Sequence, residues 1–463
     1  MKRKAWIARL AGSGALIALF GCSDDNTTAP DRTPSLSSMS SEVHAIAAEV
    51  RLLTAGRGIT ALPKPPQVRP ALVRLGQALA FDKILSGNRD ISCMTCHLPS
   101  FATGDGRSLS LGQGATGLGP ARVLPPDVAF IPRNSPQIFN LFAIKSLFWD
   151  GRVSQDELGN FHTPAGAALT PAMTRVFEFG VASAQPLFPV LSREEMRAFG
   201  GNELAAIGDD HQEQIWAAIM TRLGAIPEYR RMFEQAYPGQ QFAQMTFAHA
   251  SNAMAGFFID RLAFNNSPWD RFLAGNDAAM TRVQLQGAKD FMTARCSICH
   301  NGPALTDNRF HNVAVAQLGP GKGDGVGGRD DFGRMRETGD ATDKYAFRTP
   351  ALRNVELTAP YGHDGAFFSL RDFVDHYSES ATKLMKFNDA QLEGALKGTV
   401  LPTQTDILAT RDPLLTGVVF SDQVVDEVTE FMKALTDPAA RNLQGVVPGR
   451  VPSGLSVDGG RRP

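Results

Sequence analysis

Two copies of one pentapeptide constrain this chain more than anything else in it. Cys93-Met94-Thr95-Cys96-His97 and Cys296-Ser297-Ile298-Cys299-His300 stand about two hundred residues apart. Cys-x-x-Cys-His is the attachment signature of c-type haem. The two thiols add to the haem vinyl groups, and the adjacent histidine becomes an axial iron ligand. The chain has five cysteines, and four of them lie in these motifs. The fifth, Cys22, closes an N-terminal apolar run, so no pair remains for a disulfide. A zinc knuckle would need four ligands gathered in one place. A thioredoxin-like redox pair would not need histidine at the same offset twice. Two covalent haem c groups are expected.

The ends point to export. Lys2, Arg3, Lys4 and Arg9 precede an apolar stretch, Leu10 to Phe20, too short for a stable membrane anchor. Leu19-Phe20-Gly21-Cys22 resembles a bacterial lipobox, so residues 1–22 read as a lipoprotein-type signal peptide and Cys22 as the lipidated residue. Residues 23–41 read as a flexible tether, and the Gly-, Pro- and Arg-rich tail 444–463 as disordered. The expected location is the bacterial periplasm, with a lipid anchor as the only membrane attachment. A net charge of −1 gives no argument for nucleic acid as a partner.

The span 42–443 exceeds what one core usually holds, so two domains are expected, 42–277 and 278–443. Apolar residues recur at helical spacing over 42–54, 71–81, 213–236, 243–263, 283–294, 369–377 and 422–435. Strand-like alternation is scarce, and Gly/Pro-rich stretches at 106–132 and 318–337 separate the helices. The fold class is mostly α and loop-rich, with two cytochrome c-type haem domains whose loops wrap the cofactors. The run Gly319-Pro320-Gly321-Lys322-Gly323-Asp324-Gly325 lacks the Gly-Lys-Ser/Thr ending of a phosphate loop, and no strand leads into it. A flexible surface loop is expected there.

Around the motifs, ordered blocks resemble the bacterial di-haem cytochrome c peroxidase/MauG superfamily from about residue 71 to 436. They are Leu75-Gly76-Gln77-Ala78-Leu79-Ala80-Phe81-Asp82, Leu85-Ser86-Gly87-Asn88, Pro132-Arg133-Asn134-Ser135-Pro136 and Phe148-Trp149-Asp150-Gly151-Arg152. After the second motif come Phe347-Arg348-Thr349-Pro350-Ala351-Leu352-Arg353-Asn354 and Leu357-Thr358-Ala359-Pro360-Tyr361. The resemblance implies a division of labour. The haem on Cys93, Cys96 and His97 would meet H2O2, and the haem on Cys296, Cys299 and His300 would transfer electrons. Many family peroxidases carry a distal histidine after the first motif, but residues 98–161 contain none, which implies an open first haem.

The resemblance also assigns roles. Its Gln, Pro and Glu appear here as Gln185, Pro189 and Glu195, after an insertion at about 156–184; Glu195 would carry the peroxide proton, with Glu194 and Glu157 as alternatives. Trp149 would relay electrons between the haems. Asn134, Thr358 and Pro360 match a calcium site of oxygen ligands. Arg348 would reach haem propionates, and His363 would be a structural hydrogen-bonding residue. The slot for the distal ligand of the second haem holds Tyr377, as in MauG-like enzymes, with His376 and Met385 as competitors. A phenolate should lower the haem potential. The implied function is MauG-like oxidation of a partner protein, such as a small copper-binding protein. The alternatives are H2O2 reduction with electrons from a small cytochrome c or cupredoxin, and a non-catalytic di-haem electron carrier.

Overall fold

The computed structural model describes residues 36–123, 125–126 and 128–459. The expected signal peptide, Cys22 and most of the expected tether lie outside the described residues. The helix Leu36–Ala55 begins inside the stretch read as tether. No helix among the described residues is long and apolar enough to cross a membrane.

Helices carry the architecture, as the periodicity predicts, and each half is built on one crossed pair. Pro70–Phe81 starts with proline in its first turn, where a missing N–H costs nothing. Leu72, Val73, Leu75 and Leu79 are buried on its inner face, against Phe247–Arg261. Contact is close because position 76 is glycine: a Cβ there would lie 1.8 Å from the Ala253 carbonyl oxygen. The second half repeats this arrangement. Arg282–Thr293, capped by the Thr281 hydroxyl, crosses Asp422–Ala434, capped by Ser421. A Cβ on Gly287 would lie 1.7 Å from the Glu427 carbonyl oxygen. In both halves the glycine-bearing helix precedes the haem motif, which forms a single helical turn, Cys93–Cys96 or Cys296–Cys299.

The remaining helical expectations hold with one break. The segment 213–236 is two helices, Gln212–Gly224 and Pro227–Ala236, because Pro227 removes a backbone donor and starts a new helix. Strands are few. Ser146–Leu147, Val153–Gln155 and Phe161–His162 form an antiparallel ribbon, and Phe310–His311 pairs with Phe347–Arg348. The insertion at 156–184 is part of this packing: it supplies the third strand and buries Met173, Val181, Ala182 and Ala184 in the first core.

Two large apolar cores correspond to the two halves, and the chain ends cross between them. Ala47, Val50 and Ile59 belong to the core of Leu285, Phe291, Val425 and Phe431. Ala440, Leu443, Val446 and Val451 belong to the core of Leu72, Leu79 and Phe257. The disorder expected for 444–463 is therefore corrected through residue 459. Gln444–Val446 form a 3₁₀ turn. The Ser453 hydroxyl donates to Asp82 at 2.6 Å. Asp458 accepts from the Thr95 hydroxyl at 2.6 Å and pairs with Lys83 at 2.8 Å. The Gly, Pro and Arg content hid a few long-range contacts, made by isolated Val446, Val451 and Asp458, that local composition cannot reveal.

Candidate active site

The structure brings both motifs to one continuous cavity, which is also lined by Trp149, Gln185, Glu195, Arg348 and Tyr377. The motif cysteines are free, and burial pushes the Cys93, Cys96 and Cys296 thiols up to about 12. That is the opposite of the acidic thiol a redox pair needs. The histidines are prepared as ligands. His97 Nδ1 donates to the Thr103 carbonyl at 2.9 Å, and His300 Nδ1 donates to the Leu305 carbonyl at 3.1 Å. Each bond fixes the tautomer and leaves Nε2 with its lone pair. Burial lowers the pKa of both, His300 to about 4, so the rings stay neutral. Arg348 supplies a further sign of fit. It is buried, bonded only to the Phe148 and Thr349 carbonyls, and burial pulls its pKa down to about 10. A guanidinium at the cavity wall with no carboxylate partner among the described residues suits a haem propionate.

On the first-motif side, Glu195 sits in a wide turn, Arg193–Arg197, where the Ser192 hydroxyl accepts from its backbone N–H at 3.2 Å. Burial raises the Glu195 pKa, opposed by the charges of Arg152 and Lys322. Glu194 lines the same cavity, with the Ser192 hydroxyl donating to it at 3.1 Å. Glu157 lies in an exposed turn away from the cavity. The turn is seated on Gly112, where a Cβ would lie 1.7 Å from the Glu194 carbonyl oxygen. Gly112→Ala should therefore displace both carboxylates. A misplacement of about 1 Å costs roughly 100-fold in rate, so we expect about that loss in the peroxide reaction of the haem-loaded protein. Stopped-flow spectroscopy beside an unchanged unfolding midpoint would check it.

Trp149 lines the cavity. Its indole N–H donates to the Asn134 carbonyl at 2.9 Å, and its own carbonyl accepts from the Arg348 N–H at 2.8 Å. The preceding Phe148 has a φ of 63°, an uncommon conformation for an aromatic residue, which turns the chain into the Trp-Asp-Gly-Arg segment. On the second-motif side, the helix Leu370–His376 presents Tyr377 to the cavity at its end. The competing ligands are placed elsewhere. His376 is buried outside the cavity lining, with Nε2 donating to the Val313 carbonyl at 2.9 Å, and Met385 is 60% exposed.

Residues 70–278 match the di-haem cytochrome c peroxidase family. Cytochrome c551 peroxidase of Pseudomonas aeruginosa is 30% identical over 301 residues, covering 65% of this chain and 69% of that protein. The chain belongs to the di-haem cytochrome c peroxidase family. The methylamine utilization protein MauG of Methylorubrum extorquens is 27% identical over 324 residues, covering 69% of this chain and 72% of MauG. The crystal structure of a MauG-like protein associated with microbial copper homeostasis superposes with a TM-score of 0.57 at 25% identity, covering 83% of this chain and 94% of that one. Family membership gives an oxidoreductase that carries two haem c groups, and di-haem peroxidases of this kind are typically periplasmic.

Several groups at the di-haem site escaped the sequence reading. Arg133 pairs with Asp150 at 2.5 Å and Asp331 at 2.7 Å, and Arg152 joins Asp150 at 2.9 Å, all buried or nearly so. Burial would raise the Asp150 pKa, but Arg152 and Arg133 hold it well below the usual carboxylate range. His311 lies between Asp307 and Asp412 at the second motif. Lys322, in the Gly-rich loop expected to be a surface element, lines the cavity. Among expected residues, Asn134, Thr358 and Pro360 also line it. Asn134 Nδ2 donates to the Arg107 and Ser108 carbonyls at 3.0 and 3.3 Å, which leaves its side-chain oxygen for another partner. His363 also lines the cavity, stacks on Phe347 at 3.6 Å and accepts from the Gln317 amide at 3.2 Å.

Proposed function

We propose that this protein uses H2O2 at the first haem and oxidises side chains of a partner protein through the second, in the manner of the MauG-like branch. The observation that carries the reading is Tyr377 at the cavity, with His376 bonded elsewhere and Met385 at the surface. A phenolate oxygen favours oxidised iron where a thioether favours reduced iron. Cys93, Cys96 and His97 would hold the first haem, and Cys296, Cys299, His300 and Tyr377 the second. The bound haems supply peroxide reduction and electron storage. Glu195 accepts a proton at its carboxylate from the inner peroxide oxygen and returns it to the outer one. Gln185 orients the peroxide, and Trp149 bridges the two halves for electron transfer. Arg348 binds propionates, and Asn134, Thr358 and Pro360 hold Ca2+. A lipid on Cys22 would fix the enzyme to a membrane facing the periplasm, within reach of a small exported partner.

A second reading has its own support. The Pseudomonas aeruginosa relative is named a cytochrome c551 peroxidase, which favours H2O2 reduction with electrons from a small cytochrome c or cupredoxin. One experiment separates the two. All-ferric, haem-loaded protein is mixed with one equivalent of H2O2 and no reductant, and the haem spectrum is followed. We expect rapid conversion to a long-lived oxidised species. A protein that stays silent until one haem is reduced would instead be a gated cytochrome c peroxidase, and the protein-oxidising reading would be lost.

A further inference from the structure

The wall around Glu195 has an uneven charge distribution. Arg133 and Arg152 are matched by Asp150 and Asp331 within their own network. Outside that network the cavity is lined by Arg295, Arg348 and Asp412 and by Glu194, Glu195 and Lys322, and among the described residues none of the last three makes an ion pair within 4 Å. Lys322 is the one lysine on the cavity among the described residues, and both carboxyls act on it. Lys322 arrives from a distant part of the sequence on a fixed hairpin. Its N–H donates to the Asp330 carbonyl at 2.8 Å, and its carbonyl accepts from Arg336 at 2.9 Å. Asp324 and Asp330 exchange backbone hydrogen bonds behind it, and the Tyr345 hydroxyl donates to Asp330 at 2.6 Å. The base of this loop is held by these bonds, and residues 325–329 at its tip are exposed.

We propose that Lys322 is a positioning residue that fixes the charge of the distal carboxylate Glu195. The proposal rests on the reading of Glu195 as the proton carrier. A half-buried acid loses solvation of its charged form, and a nearby cation restores part of it. The groups facing Glu195 are Glu194 on its own turn, Arg152, Lys322, and the Cys93 and Cys96 sulfurs, which are neutral thioethers once haem is attached. Those facing Lys322 are Arg152, Arg133, Glu195 and Glu194. Burial and the two arginines lower the Lys322 pKa, while the glutamates raise it. Arg152 acts on Glu195 as well but is shared with Asp150 at 2.9 Å, whereas Lys322 has no carboxylate partner within 4 Å among the described residues.

The test uses the haem-loaded ferric protein and two readouts across pH: the rate of reaction with H2O2, and the rate of cyanide binding to the first haem. Hydrogen cyanide must lose its proton to bind, so its entry also reports the distal base. In the parent protein both rates should fall together as pH drops and Glu195 is protonated. Lys322→Met keeps the aliphatic stem and removes the charge, so both midpoints should move to higher pH by about one pH unit. Lys322→Arg should restore the parent midpoint, which a purely structural role would not require. Unmoved midpoints in K322M, with the pH dependence abolished in Glu195→Gln, would overturn the proposal alone. A midpoint that survives E195Q would overturn the role of Glu195 and the proposal with it.

Discussion

Tyr377→Phe should remove the oxygen ligand of the second haem while leaving the protein folded. The side chain is half-buried at the end of the helix Leu370–His376, and Phe373 packs beside it at 5.5 Å, so phenylalanine fits the same space. We expect the visible spectrum of the second haem to change and its reduction potential to rise on the order of 100 mV, a fraction of the roughly 0.8 V that axial ligands span. The lifetime of the peroxide-generated species should shorten with it. Burial raises the Tyr377 pKa, so iron must displace the proton, and ligation should weaken in acid. An unchanged spectrum in Y377F would remove the tyrosine from the site and return the second haem to an unassigned ligand.

Arg133→Met should be the most destabilising single change at the site. It strands Asp331, 3% exposed, and deprives Asp150, 2% exposed, of one of two cations. Removing one member of a buried ion network costs about 3–5 kcal/mol. Denaturant unfolding of the haem-loaded variant should show that loss at neutral pH. The pH dependence has a definite sign. In the parent protein both carboxylates have depressed pKa values. Their contribution is therefore present above the unfolded carboxylate value, about 3.9, and is lost as pH falls through the folded values. The gap between parent and variant should thus be full at pH 7 and narrow below about pH 4. A constant gap across that window would show that packing, rather than charge, accounts for the cost.

Much of this was legible in the sequence, for identifiable reasons. The motif residues, Trp149, Gln185, Glu195, Arg348 and Tyr377 reached one cavity because each sits inside a short local block whose order along the chain survives folding. Residues that depend on distant partners stayed hidden. Lys322 lies in a glycine-rich stretch with no local signal, and its meaning comes from a turn more than a hundred residues earlier. Arg133 was visible inside Pro132-Arg133-Asn134-Ser135-Pro136, but nothing in that block predicts Asp331. The likeness of the two halves was also missed. Leu75-Gly76-Gln77-Ala78 and Leu285-Gln286-Gly287-Ala288 perform one task with the glycine shifted by a residue, so the repeat shows only when each glycine is seen against the helix that crosses it.

The strap formed by residues 447–459 bears on how the protein is assembled. It closes over the turn Cys93–Cys96 through the bond from Thr95 to Asp458. Synthesis begins at the N-terminus, so the first pair of thiols exists long before the segment that covers it. Cys93 and Cys96 therefore stay uncovered by it until both pairs of thiols have been made. In this molecule the cover of the first motif is made after both motifs are complete.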